Sequence, residues 1–301
     1  VSTAGFWEDE RELAPESGPQ IAGRSPNADA KRGRRLRALM VVAGLLYVVI
    51  LLLAPLGGIA YSALKDGFGT IGTTFAQADV RHALYLTFLI MVITVVVTAV
   101  LGVVVALVLA RDNFRGKRFV SALVDLPLGV SPVIVGLMAV LLFGRGGWFE
   151  SFFAARGIQV IFAVPGMLLV TIFISIPFVI REVVPVLQEL GTEEEQAAWT
   201  LGASKFQTFF RVTLPNIRWG LAYGIALSAA RAIGEVGAVL IVSGAIQGQT
   251  ETATLFILRA FDQYRDAQGF VVALALAMFS IVLLIGIEYF KRREVQEAKA
   301  P

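Results

Sequence analysis

The sequence predicts an all-α, polytopic membrane protein with six transmembrane helices. Hydrophobic residues fill 56% of its 301 positions and charged residues only 16%, where soluble domains carry about 25% charged residues. The apolar residues gather in six runs, each long enough for a helix to cross a hydrocarbon layer about 30 Å thick. Basic residues crowd into alternate connections between those runs, the asymmetry of a chain threaded through a bilayer.

In chain order, residues 1–35 are rich in Ser, Pro, Gly, Glu and Arg and bury too little apolar surface to fold, so a disordered cytoplasmic tail is expected. They show neither the apolar core nor the cleavage site of a signal peptide. The transmembrane domain spans 36–293, and residues 294–301 are expected to form a second cytoplasmic tail. The six spans are Ala38–Leu64, Ala83–Ala110, Phe119–Phe143, Val160–Val184, Ile217–Ser243 and Phe270–Phe290. Lys31, Arg32, Arg34, Arg35 and Arg37 precede the first span, and Arg111, Arg115, Lys117 and Arg118 follow the second. Arg181, Lys205, Arg211 and Arg218 are assigned to the connection between the fourth and fifth, and Lys291, Arg292 and Arg293 follow the sixth. The other connections hold only Lys65 and Arg81, Arg145 and Arg156, and Arg259 and Arg265. Both termini and the segment Thr192–Pro215 are therefore expected on the cytoplasmic side. The net charge of +3 reflects this bias, and no nucleic-acid partner is expected.

Within the spans, Arg231 and Glu235 lie four residues apart on one helical face and can pair. Charges at such depth cost about 2.5–3.5 kcal/mol each on insertion scales. They serve either as a structural pair or as an anion path in which Glu235 restrains Arg231. Asp125 opens the third span ahead of Pro127, Gly129, Ser131 and Pro132, and Pro165, Pro177 and Pro185 mark the fourth. Such breaks free backbone groups that must be satisfied by protein or by cavity water, so these helices either line a pathway or solve a packing problem. Two outer segments look amphipathic. Trp148–Ile161 has the aromatics of an interfacial belt, and Thr254–Phe261 is expected as a short surface helix. The lone histidine, His82, sits at a helix end as a solvated boundary residue.

The longest polar connection is 192–215. Gly191 suits the end of the preceding helix. Thr192-x-x-Glu195 and Ser204-x-x-Gln207 each have the spacing of a capping box. Gly202 separates two short helices, the second with Phe206, Phe209 and Phe210 on its apolar face. Leu214-Pro215 is expected to stop it, because proline disfavours helix in the residue before it. This is either a docking surface or an amphipathic loop lying on the membrane.

Catalytic chemistry is absent from the sequence. There is no phosphate-binding Gly-rich loop, no His-Glu-x-x-His and no Gly-x-Ser-x-Gly elbow. The chain has no cysteine, which excludes disulfides and thiolate metal sites.

Gln196-Ala197-Ala198, then Gly202, then Val212-x-Leu214-Pro215 resembles the EAA loop of ABC-importer permeases: Glu-Ala-Ala, three residues, Gly, nine residues, Ile-x-Leu-Pro. The spacing matches throughout, with Gln196 in place of Glu and Val212 in place of Ile. Asp125–Gly136 and Ala230–Gly244 are similar to the third and fifth spans of oxyanion importers, although Val236 stands where those commonly have Phe. Leu214–Gly220 and Phe162–Gly166 look most like the W-type permeases of the sulfate/thiosulfate systems.

The resemblance implies a type I ABC importer permease fold in a bacterial plasma (inner) membrane. It implies a heterodimer with a T-type permease, an ATPase subunit dimer that binds the ATP and Mg, and an extracytoplasmic sulfate-binding protein. No cofactor is expected in this chain. The coupling residues it implies are Glu193, Glu194, Glu195, Gln196, Ala197, Ala198, Gly202, Ala203, Ser204, Leu214 and Pro215. Arg231, Glu235, Ser131 and Asp125 are the candidates for the translocation pathway. Sulfate, with thiosulfate, is the implied cargo. Molybdate or tungstate is the alternative. A membrane enzyme would need clustered acidic or histidine residues, and a stand-alone secondary transporter would show internal repeats, which this chain lacks.

Overall fold

The computed structural model describes residues 26–297, with side chains over 39–288. Residues 1–25 and 298–301, which include most of the expected N-terminal tail, lie outside the described residues. The chain divides after Pro55 into two units. The first contributes most of α1 (Pro26–Leu64), a helix that begins inside the expected tail and carries Pro55. Its apolar side chains from Leu39 to Leu53, Leu45 and Leu52 among them, are exposed, as expected of a helix that meets lipid or another chain.

The second unit holds α2 (Phe68–Ala76), α3 (Ala78–Arg111), α4 (Lys117–Gly129), α5 (Pro132–Phe143), α6 (Glu150–Ala154) and α7 (Val164–Leu190). It continues through α8 (Glu193–Thr200), α9 (Lys205–Thr208), a π-helix (Phe209–Thr213), α10 (Leu214–Ile233), α11 (Gly237–Ser243), α12 (Ala253–Asp262) and α13 (Asp266–Glu297). No strand occurs among the described residues. Helices α3, α7 and α10 pack on one another at the centre, α11 packs on α5, and α13 packs on α10 and α12. Val103, Ala106, Val179, Val183, Leu187 and Ile217 form the core among the first three. A second cluster joins Leu86, Ile90, Val135, Met167, Val170 and Val239.

Small residues set these approaches, because lipid supplies no hydrophobic drive between helices and close backbone packing must. A methyl group on Gly102 would lie 2.7 Å from Val179 Cγ1, and one on Gly136 would lie 2.9 Å from the Ala238 carbonyl oxygen. Thr98 and Ser228 hydroxyls hydrogen-bond at 2.9 Å across α3 and α10.

Among the described residues four helices are long and apolar enough to cross a membrane, and counting each of two bent pairs as one span gives six. The third expected span is broken: α4 and α5 meet at 112°. Val130 and Ser131 are both extended, with ψ of 136°, because Pro132 drives the residue before it out of the helical region. The fifth is also broken, by 55° between Ile233 and Gly237. The fourth, in contrast, is unbroken: α7 runs through Pro177 and Pro185 as far as Leu190. Arg181, expected in a connection, is therefore within a helix. Thr254–Phe261 is helical as expected, with Leu258 and Phe261 exposed and the opposite face packed into the bundle. Leu255, Phe256 and Ala260 of α12 are buried, Phe256 and Ala260 clustering with Val80, Ala83 and Val272. In the other outer segment only Glu150–Ala154 is helical. There Phe143 stacks on Phe149 and meets Phe153 edge-on.

Candidate functional site

The segment between α7 and α10 is built by its turns. Gly191 (φ 64°) and Gly202 (φ 85°) both sit at positive φ, where a Cβ would be strained, and they end α7 and the α8 turn. Ser204 makes the expected capping box. Its backbone N–H donates to Gln207 Oε1 at 2.9 Å, and the Gln207 N–H donates to Ser204 Oγ at 3.3 Å.

The other box does not form. Thr192 stands at the N-cap of α8 with no side-chain cap, and its hydroxyl accepts from Gln196 Nε2 at 3.0 Å. Glu195 is turned inward, only 8% exposed. Its Oε1 accepts from Thr213 Oγ1 at 2.9 Å and from Arg111 Nη2 at 3.0 Å. Arg111 Nη1 donates to the Leu187 carbonyl at 2.8 Å. Either bond would be charge-assisted, but Arg111 adds an opposite charge at 3.0 Å that a backbone N–H does not bring.

Proline does not stop the second helix. Phe209–Thr213 winds as a π-helix and passes directly into α10, with Pro215 in its first turn. In a regular helix the proline ring would meet the carbonyl four residues back. The wider turn just before it removes that clash.

Glu193, Glu194, Gln196, Ala197, Gly202, Ser204 and Pro215 are exposed, and Ala198, Ala203 and Leu214 are partly so. Glu194 accepts from Asn216 Nδ2. Beside them are apolar side chains in the open: Leu201 at 88% exposure, Phe206 at 73%, Trp199 and Phe210 near half. The Phe206 and Phe210 rings stand 4.5 Å apart.

The intramembrane candidates fall into two groups. Arg231 Nη1 lies 2.6 Å from Glu235 Oε2, with the Glu235 side chain 2% exposed. Oε2 has no partner aligned for a hydrogen bond, so that contact is coulombic. Glu235 Oε1 accepts the Ala238 N–H at 2.8 Å, in the first turn of α11, and Thr254 Oγ1 donates to the Glu235 carbonyl at 3.1 Å. The pair thus sits at the break in the fifth span and satisfies backbone groups the break exposes. Asp125 pairs with Arg181 Nε at 2.8 Å, linking α4 to α7, and not with the first pair. It borders an open recess of about 730 Å³ that Lys117 and Arg118 also line. Ser131 is exposed at the bend between α4 and α5.

Two buried pairs escaped the sequence reading. Arg111 was counted as a topology charge, and only Ala198, sharing a helix face with Glu195 three residues earlier, hinted that Glu195 points inward. Arg259 makes a bidentate pair with Glu251, at 2.6 and 2.9 Å, and Glu251 is 1% exposed. The Glu251 carboxylate hydrogen bonds hold Arg259 above its ordinary arginine value, burial opposing and the carboxylate charges assisting.

Residues 99–295 match the family described as binding-protein-dependent transport system inner membrane components. The chain belongs to that family. As a permease of this kind it resembles the sulfate transport system permease protein CysW of Synechocystis sp., 44% identical over 86% of this chain and 94% of that one. CysW of Escherichia coli is 40% identical over 87% of this chain and 90% of its own length. CysT, the sulfate transport system permease protein of Synechocystis, is 35% identical over 83% and 88%. Among solved structures, a bacterial ABC transporter involved in the import of the acidic polysaccharide alginate superposes with a TM-score of 0.69 at 20% identity, over 89% of this chain and 98% of that one. That likeness concerns the permease fold.

Proposed function

We propose that this permease moves sulfate, and thiosulfate with it, into the cytoplasm as one half of a heterodimeric channel. The reading that it imports a tetrahedral oxyanion rests on one observation above the others. Relatives named as sulfate transport permeases share 40–44% identity with nearly the whole membrane domain. The similarity to CysT at 35% supports a T-type permease as the second half.

The segment 192–215 is the contact for an ATPase subunit dimer, which binds the ATP and Mg. Exposed Trp199, Leu201, Phe206 and Phe210 supply an apolar surface for such a groove, and Glu193, Gln196 and Ser204 rim it. An extracytoplasmic sulfate-binding protein delivers the anion from the opposite face. The chain lies in a bacterial inner membrane with both termini in the cytoplasm, the arrangement its basic connections favour. Closure of the ATPases tilts the permease helices as rigid bodies. Arg231, held beside Glu235 but 28% exposed, retains donors for an oxyanion.

The test is uptake of labelled sulfate in cells lacking their own sulfate permeases. The expected result is ATP-dependent uptake when this chain is expressed with its ATPase, partner permease and binding protein, and none without any one of them. Labelled molybdate entering in preference to sulfate would move the cargo to the alternative oxyanion.

A further inference from the structure

We propose that Glu195 is a positioning residue for energy coupling. Its buried carboxylate clasps α8 to the ends of α3, α7 and α10, so that a push on the exposed segment moves those helices together. This rests on the reading of 192–215 as the ATPase contact.

Three observations carry it. First, α8 has eight residues, too few to hold a helix by its own hydrogen bonds, and no side-chain cap at its N-terminus. Its placement has to come from elsewhere. Second, of the three consecutive glutamates only Glu195 is buried, and its partners come from different elements. Arg111 is the last residue of α3, and Thr213 is the last residue before α10. Arg111 in turn satisfies the Leu187 carbonyl, one of the last four of α7, which have no partner within the helix. One charge-assisted cluster thus joins four elements with bonds of 2.8–3.0 Å. Third, Trp199 and Leu201 are exposed, while Glu195 points into the bundle. A force applied to those side chains reaches the spans through the carboxylate. Apolar packing allows sliding, whereas bonds with fixed directions transmit a rotation. Gln196, exposed and bonded to Thr192, takes no part.

Removing one partner would strand a buried charge and confuse coupling with folding. The decisive variant is therefore the double replacement Arg111→Met with Glu195→Leu, which fills the same space without directional bonds. The complete complex, with its ATPase, partner permease and binding protein, is reconstituted in liposomes. Sulfate imported per ATP hydrolysed and the Tm of the complex are measured together. The expected result is an assembled complex whose Tm falls only by what the Leu187 carbonyl and the Thr213 hydroxyl lose, and a transport-to-hydrolysis ratio lower by about tenfold, the scale of one direct interaction. An unchanged ratio would overturn the clasp, since packing alone would then suffice. If the double variant assembles poorly, Glu195→Asp decides. It keeps the charge but shortens its reach by one methylene, and a normal ratio in an assembled complex would equally overturn the proposal. An unaltered complex that imports no sulfate counts against the proposed function, whereas variants that match an active complex count against the clasp alone.

Discussion

At the scale of single residues, two buried carboxylates show how position decides role. Glu235 holds a cation with one oxygen and a backbone N–H with the other. Glu235→Gln keeps an acceptor for Ala238 and loses the ion pair; Glu235→Ala loses both and leaves Arg231 alone. The alanine variant is expected to lower the Tm of the purified complex more, by an amount equivalent to about 3–5 kcal/mol, with the glutamine variant between it and the unaltered protein. Arg231→Gln separates pathway from scaffold. A pathway role predicts lost sulfate uptake with normal assembly, and a purely structural role predicts less assembled protein. Arg259 behaves differently with pH. Its raised value means that the stability from its pair with Glu251 is complete below the ordinary arginine value and fades only as pH rises through the higher one. No alkaline loss from this pair is expected in the physiological range. The spacing of Arg231 and Glu235 made their pairing legible in the sequence. The Glu195 cluster was not, because its partners are 84 and 18 positions away and no local periodicity encodes such contacts.

At the scale of elements, the capping chemistry separates into a box that forms and one that does not. Ser204→Ala is expected to cost about 1 kcal/mol, while Thr192→Ala should cost distinctly less, since Thr192 caps nothing. Thermal unfolding of the two variants side by side checks this. Packing gives a second contrast. Gly136→Ala forces a methyl against the Ala238 backbone at 2.9 Å and is expected to destabilise the α5–α11 contact by about 1–3 kcal/mol. Gly72→Ala in α2 meets nothing within 4 Å and should be neutral or slightly stabilising by helix propensity. The helical content of all six spans was readable from hydropathy. Their continuity was only partly so, since each proline obeys its surroundings. Pro132 breaks a span through Ser131, yet Pro177 and Pro185 ride within α7, where neighbouring α3 and α10 hold the helix together.

For the whole molecule, the alternation of basic connections predicts which side each loop faces. The chain lacks cysteine, so any introduced thiol is the only one it carries. Cysteine placed at Leu201, in the permease expressed without its ATPase, should react with a membrane-impermeant maleimide only from the cytoplasmic face of inverted vesicles. Cysteine at Trp148 or Tyr264, both exposed in the opposite connections, should react only in intact cells. Labelling of both kinds from one side would refute the threading. The fold class followed from composition because a bilayer admits few architectures. The cargo did not, because no pocket chemistry in one subunit names an anion.

The π-helix before Pro215 has a consequence for how such segments change over time. A π turn is an α-helix carrying one surplus residue, so Phe209–Thr213 can be viewed as a single-codon insertion that the fold absorbed. Deleting Val212 would let the winding become regular and leave the flanks near their present bearings, whereas one residue inserted after Thr213, with no second wide turn to absorb it, would turn everything upstream by about 100° about the helix axis. Thr213 would then face away from Glu195, and the exposed aromatic side chains would swing to another bearing. The aim of this surface relative to the spans is therefore set by a count of residues as much as by their identity. Substitutions at the exposed positions here, such as Phe210 and Arg211, are expected to be tolerated where one-residue insertions are not.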